Sequence, residues 1–150
     1  MSQLSPRLSV RALILKENRL LVVNAYPPGG TELWCAPGGG VERHSALPDN
    51  LIREVREETG LTISVGEPCL VNEFHDPERG FHQVDLYFRC QITAGELDPD
   101  WRDPENIVTR RRFVSREELA ALPHKPDSLA AAAWDGAGEI RYDPLELLIR

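Results

Sequence analysis

Two stretches, Pro37-Gly38-Gly39-Gly40-Val41-Glu42 and Arg53-Glu54-Val55-Arg56-Glu57-Glu58-Thr59-Gly60-Leu61, decide how this chain reads. The second crowds acids where a helix gains nothing from them. Glu54, Glu57 and Glu58 stand at i, i+3 and i+4, so a helix stacks all three carboxylates on one face. Like charges at those spacings cost ~0.2–0.5 kcal/mol per pair. A divalent cation reverses that cost, because Mg²⁺ and Mn²⁺ prefer hard oxygen ligands. The residues thus point to a metal site.

A helix is expected from about Ala46 to Thr59, because Leu47, Leu51, Ile52 and Val55 fall at helical spacing and Gly60 sits where a C-cap belongs. Upstream, Leu8 to Leu15 and Leu20 to Ala25 read as a hairpin turned at Lys16 to Arg19. Tyr26 to Gly30 reads as a loop, and Leu33 to Ala36 as a short strand running into the glycines. Downstream, Leu61 to Val65 and Cys69 to Phe74 look extended. From Phe81 to Ile92, apolar Val84, Leu86, Phe88, Cys90 and Ile92 alternate with Asp85, Tyr87, Arg89 and Gln91, the pattern of a half-buried strand. Ala94 to Asn106 is polar and proline-bearing, Ile107 to Val114 reads as a strand, and Ser115 to Glu118 carries a capping-box pattern. Asp127 to Trp134 reads as a helix, and Ile140 to Arg150 has no legible packing partner. With no repeat or linker, residues 1–150 read as one α/β domain.

Taken together, Gly38 to Leu61 resembles the Nudix hydrolase signature: a glycine, five residues, a glutamate, seven residues, then Arg-Glu-hydrophobic-any-Glu-Glu-any-Gly-hydrophobic. Gly39 takes the place of the glycine, and Arg53, Glu54, Val55, Glu57, Glu58, Gly60 and Leu61 match the terminal run. The resemblance covers about Leu8 to Leu122. It implies a Nudix-fold α/β/α sandwich with a mixed β-sheet. It also implies a pyrophosphohydrolase that cleaves a nucleoside diphosphate linked to another moiety, of the nucleotide, ADP-ribose or nucleotide-sugar class, by attack of water on phosphorus. On that resemblance Glu54, Glu57, Glu58 and the carbonyl of Gly38 hold Mg²⁺ or Mn²⁺, Arg53 orients a glutamate, and a homodimer is possible. A fourth acid from outside the motif is expected at Glu105, with Glu73, Asp76 and Glu78 behind it. Pro77 lies about where some ADP-ribose-cleaving members carry a proline.

One departure stands out: the glutamate expected six residues after Gly39 is Ser45, preceded by His44 in place of a small glycine. In relatives that glutamate pairs with the arginine matched by Arg53. Ser45 is expected instead to cap the helix, leaving Arg53 to find Glu42, Glu57 or solvent. The departure keeps a second reading open, a non-catalytic Nudix-fold domain that binds a nucleotide.

Composition narrows the rest. With 41% apolar and 27% charged residues the chain is ordinary for a globular protein. A net charge of −7 argues against nucleic acid and anionic membranes as partners. No apolar run reaches membrane-spanning length and Met1 to Arg11 lacks a leader's apolar core, so a cytoplasmic location is expected. Cys35, Cys69 and Cys90 read as buried small hydrophobes in a reducing compartment. His44, His75, His82 and His124 lack ligand spacing, Arg110 to Arg112 read as a strand with one solvated side, and Trp34 and Phe113 read as core. Tyr26, Phe74 and Phe81, beside loops, are the better candidates to stack on a base.

Overall fold

The computed structural model describes residues 5–136 and 138–149. Met1 to Leu4, within the segment read for a leader, and Arg150, at the end of the last segment, lie outside the described residues.

The fold is organised around β1 (Arg7–Lys16), which pairs on both edges. Along one edge it runs parallel to β6 (Phe81–Ala94), from Arg7 opposite Gln83 to Ile14 opposite Cys90. Its other edge is shared. Ser9 to Arg11 face β4 (Gly38–Gly40), while Leu15 and Lys16 continue into the hairpin partner β2 (Arg19–Asn24). β2 in turn carries β3 (Trp34–Cys35) and β7 (Arg111–Val114). β5 (Thr62–Asp76) returns antiparallel to β6, and β8 (Arg141–Leu147) lies parallel to β5 at the outer edge. The sheet is therefore mixed, as expected.

Helices cover both faces because both faces are apolar. On one side Leu51 and Val55 of α1 (Leu47–Thr59) pack on Val10, Ala12, Ile14, Phe88 and Cys90. On the other, Leu119 of α2 (Arg116–Ala120) and Leu129, Ala132 and Ala133 of α3 (Leu129–Trp134) pack on Leu13, Leu20, Val22 and Tyr87. This is the α/β/α sandwich that the resemblance implied. The capping box at α2 is present: the Glu118 N–H donates to Ser115 Oγ (3.1 Å) and the Ser115 N–H to Glu118 Oε1 (2.8 Å).

Several boundaries differ from the sequence reading, each for a physical reason. The face of β6 that alternation turns to solvent is only partly solvated: Asp85 and Tyr87 are each 2% exposed, Tyr87 under the second helical layer and Asp85 beside Gln83 and Arg11, while Gln91 is exposed. The segments at Leu61 and Cys69 are one strand, broken in register between Val65 and Leu70. β7 begins at Arg111 and not at Ile107, because Asn24 takes the preceding backbone: its Oδ1 accepts from the Thr109 and Arg110 N–H groups and its Nδ2 donates to the Ile107 carbonyl. The last segment forms β8, a register that only its partner β5 could specify.

Candidate active site

The site is assembled where α1 passes beneath β4. Its N-terminus is not capped by Ser45: Ala46 holds the cap position without a side-chain bond, and Ser45 Oγ reaches only the Ala46 carbonyl at 3.5 Å. Asn50 anchors the loop instead. Buried at 1% exposure, its Oδ1 accepts from the Glu42 N–H (2.9 Å) and its Nδ2 donates to the Gly40 carbonyl (3.0 Å). Those two bonds tie the glycine strand and the loop after it to the first turns of α1.

The C-terminal end is held as firmly. Gly60 takes the left-handed conformation (φ 78°) that ends the helix, as the sequence required. A helix leaves its last carbonyls without intrahelical partners. Here Trp101 Nε1 donates to the Glu57 carbonyl (2.8 Å), Arg111 Nε to the Glu58 carbonyl, and Arg56 to the Gly60 carbonyl (3.0 Å). Asp103, also buried, folds the loop that delivers Trp101 and Arg111 by accepting from the N–H groups of Glu105, Ile107 and Val108.

Between these anchors the acids converge with Arg53. One guanidinium nitrogen lies 3.2 Å from Glu57, and the other lies 3.2 Å from Glu54 and 3.3 Å from Glu42. The Arg53 left without its expected glutamate therefore finds three. Glu58 turns toward β4, where its Oε1 accepts from the Gly38 N–H at 3.0 Å. Glu54 is buried against Gly39, and a Cβ at Gly39 would lie 2.5 Å from its carboxylate oxygen. Any side chain at Gly39 would have to displace the Glu54 carboxylate.

Burial is the main reason both inner acids resist ionisation. It pushes the Glu58 carboxyl up to about 8, against the pull of Arg11 and of the Gly38 N–H, with Glu54 and Asp103 adding repulsion. Glu54 is also raised, first by burial, then by Glu57 and Glu105, with Arg53 opposing. A hard divalent cation suits this donor set, because it neutralises carboxylates that burial and crowding leave uncompensated. Among the described residues no three acidic, His or Cys groups close round a common point. The reason is visible: Arg53 holds Glu54 and Glu57, and Gly38 holds Glu58.

Sequence-predicted residues thus divide. Arg53, Glu54, Glu57, Glu58 and Gly38 come together. Glu105 is exposed, with its charge acting on Glu54. Glu73 belongs elsewhere, bonded to Tyr142 and 3.6 Å from His82. Trp34 and Phe113 pack in the core, Trp34 beneath the guanidinium groups of Arg110 and Arg112. Tyr26, Phe74 and Phe81 line one cavity together. Asn50, Trp101, Asp103 and Arg111 escaped the sequence reading because each acts through backbone groups, which leave no local pattern.

The fold and site define an α/β/α sandwich carrying an acidic helix clamped against a glycine-rich strand. The NUDIX domain family model matches residues 5–134, and the chain belongs to that family. Its members generally use divalent metal ions. The chain is 27% identical to a putative ADP-ribose pyrophosphatase of Bacillus subtilis over 95 residues, 61% of this chain and 44% of the relative. It is 30% identical to human diphosphoinositol polyphosphate phosphohydrolase 2 over 115 residues, 74% of this chain and 58% of the relative. The chain spans about half the length of these relatives. In fold it is similar to a NUDIX hydrolase from Nitrosomonas europaea, with a TM-score of 0.72 and 22% identity over 87% of this chain and 88% of that one. An ADP-ribose pyrophosphatase from Streptococcus suis superposes with a TM-score of 0.67 at 23% identity, over 93% of this chain and 100% of the other. No described helix is long and apolar enough to cross a membrane.

Proposed function

We propose that the chain is a metal-dependent pyrophosphohydrolase acting on a nucleotide or nucleotide-like diphosphate. The observation that carries the reading is the acid stack of α1, held within reach of the Gly38–Gly40 strand by anchors at both helix ends. A binding domain has no need of three carboxylates whose repulsion must be offset. The names of two relatives, an ADP-ribose pyrophosphatase and a diphosphoinositol polyphosphate phosphohydrolase, support the same reaction class.

Glu54, Glu57 and Glu58, with the carbonyl of Gly38, would hold Mg²⁺ or Mn²⁺. Bound there, the ion would neutralise phosphate charge and lower the pKa of water. The chain's own residues do the positioning. Arg53 fixes the rotamers of Glu54 and Glu57, and Asn50 fixes the distance between helix and glycine strand. Glu58 is held against the glycine strand by the Gly38 N–H at 3.0 Å.

The test is phosphate release from nucleoside triphosphates, ADP-ribose, dinucleoside polyphosphates, nucleotide sugars and diphosphoinositol polyphosphates, with Mg²⁺ and with Mn²⁺. Metal-dependent turnover is expected, and Glu57→Gln should reduce it by roughly 100-fold or more with the fold intact. A variant that keeps the wild-type rate would sink the assignment of the acid stack.

A further inference from the structure

We propose that Arg89 and Arg141, on the sheet face opposite α1 and its acid stack, form a binding site for a phosphate group. The site shares no residue with the proposed hydrolytic centre, so neither reading depends on the other.

Strand alternation puts both side chains on one face. Arg89 follows Tyr87 by two positions on β6, and Arg141 of β8 lies opposite Leu70 of β5. Tyr87 and Leu70 belong to the core under α2 and α3, so the sheet stands between the two arginines and α1. They meet just past the end of α3. Arg89 Nη2 donates to the Gly136 carbonyl at 3.2 Å, and Arg141 Nη2 lies 3.3 Å from where a Cβ on Gly136 would stand.

Arginine near a helix end commonly bonds its last carbonyls. That accounts for Arg89 Nη2 and leaves the rest of both groups unexplained. The Nε atoms of Arg89 and Arg141 are buried, and neither has a hydrogen-bond partner among the described residues. Only five buried side-chain atoms are in that state among those residues, and two of the five are these guanidinium nitrogens, on arginines that reach the same glycine. A guanidinium cannot escape the cost by giving up its proton. The acids at hand do not meet the need. Asp135 is gripped by Arg116 at 2.7 and 2.8 Å, which is the main reason its carboxyl is held low, with the Arg141 charge adding to the pull. Glu139, 71% exposed, lies 4.0 Å from Arg141 Nη2, and Arg89 is in no ion pair among the described residues. Three guanidinium groups thus meet two carboxylates, in a chain whose net charge is −7.

An oxyanion supplies the missing acceptors. A carboxylate has two oxygens, enough for one guanidinium fork, whereas a phosphate group has enough for two. The way in is a cavity of about 460 Å³, lined by Arg89 and walled by Leu13, Leu15 and Ala133. Its other charged lining residue, Glu67, is exposed to solvent. An anion beside that apolar wall feels the Arg89 charge less screened than in open water. Arg141, at the outer limit of its contact with Glu139, can turn to the same anion and give its Nε an acceptor.

The experiment is NMR of the arginine Nε–H signals of the full chain without added metal. The titrants are sodium orthophosphate, methyl phosphate and acetate, with sodium chloride holding the ionic strength constant. The Arg89 and Arg141 signals should shift together and saturably with a phosphate, and acetate should bind ~10-fold more weakly. Tighter binding of orthophosphate marks a site for the free ion; tighter binding of methyl phosphate marks one for the phosphate of a larger molecule. Arg141→Gln should weaken phosphate ~10-fold as read at Arg89. Shifts that never saturate, that chloride alone reproduces, or that Arg141→Gln leaves unchanged would overturn the site, and acetate binding as tightly as phosphate would overturn the ligand class. If Arg141→Gln does not fold, Arg141→Lys, which keeps the charge and loses the fork, takes its place with the same weakening expected.

Discussion

Replacing Asn50 by alanine is expected to cost more than any surface change in the loop it holds. The substitution removes the acceptor of the Glu42 N–H (2.9 Å) and the donor to the Gly40 carbonyl (3.0 Å). Each such bond is worth about 1 kcal/mol net. The Arg53 contact at 3.4 Å adds little, being at the limit of useful geometry. Against roughly 2 kcal/mol of loss, alanine returns about 0.5 kcal/mol through its better helix propensity. The net is about 1.5 kcal/mol, or a Tm lower by roughly 3–6 °C for a chain of this size. Urea unfolding followed by tryptophan fluorescence reads this directly, with an unchanged m-value as the control for two-state behaviour. Asn50→Asp keeps the acceptor for Glu42 but buries a carboxylate against the Gly40 carbonyl, so it should lose at least as much as Asn50→Ala. A loss below about 0.5 kcal/mol for Asn50→Ala, the ordinary range of inert surface changes, would refute the claim that Asn50 anchors the glycine strand.

Three further outcomes follow from the same geometry. Ser45→Ala should change stability by less than ~0.5 kcal/mol, because the hydroxyl caps nothing; a loss above ~1 kcal/mol in the same urea assay would restore the cap the sequence suggested. Trp101→Phe removes the donor to the Glu57 carbonyl and should speed hydrogen exchange at the Gly60 amide, which closes the last turn on Arg56; unchanged exchange there would show that the indole does not secure the helix end. Burial pushes the Cys35 thiol up to about 11 and Cys90 to about 12, from an ordinary 9.0. A raised pKa contributes stability that is whole below 9 and lost as pH rises through 11 and 12, so the urea midpoint should fall above pH 9, and Cys35→Ala should flatten that fall. An identical slope in that variant would mean the thiol does not report on folding.

What the sequence made legible was whatever it encodes locally. The helical spacing of Leu47, Leu51 and Val55, the Gly60 cap and the capping box at Ser115 all involve neighbours within one or two turns, and all appear as read. What it hid is satisfied at a distance. Asn24 bonds to backbone 83 to 86 positions away, which is why β7 starts late. Asp85 reads as a solvent-facing residue by alternation, yet it is buried because Gln83 donates to it and Arg11 lies 3.6 Å away, on a strand more than 70 positions upstream. Periodicity reports which face a side chain takes and cannot report what covers that face.

The missing glutamate at Ser45 puts the same limit into the site itself. Read along the chain, its absence leaves Arg53 without a partner and the loop without a tie to the helix. In space the two jobs separate. Asn50, one turn into α1, takes the tie, while Arg53 turns to Glu42, Glu54 and Glu57 and becomes the counter-charge of the acid stack. That division explains how the helix tolerates its acids without a metal: a guanidinium that does not deprotonate stands among them. It also sets a condition on metal binding. If Glu54 and Glu57 held a divalent ion as proposed, Arg53 would lose them as partners, and its guanidinium would still have Glu42 at 3.3 Å and the Asn50 side-chain Oδ1 at 3.4 Å. Arg53 would then need only to change partners and not to leave the site.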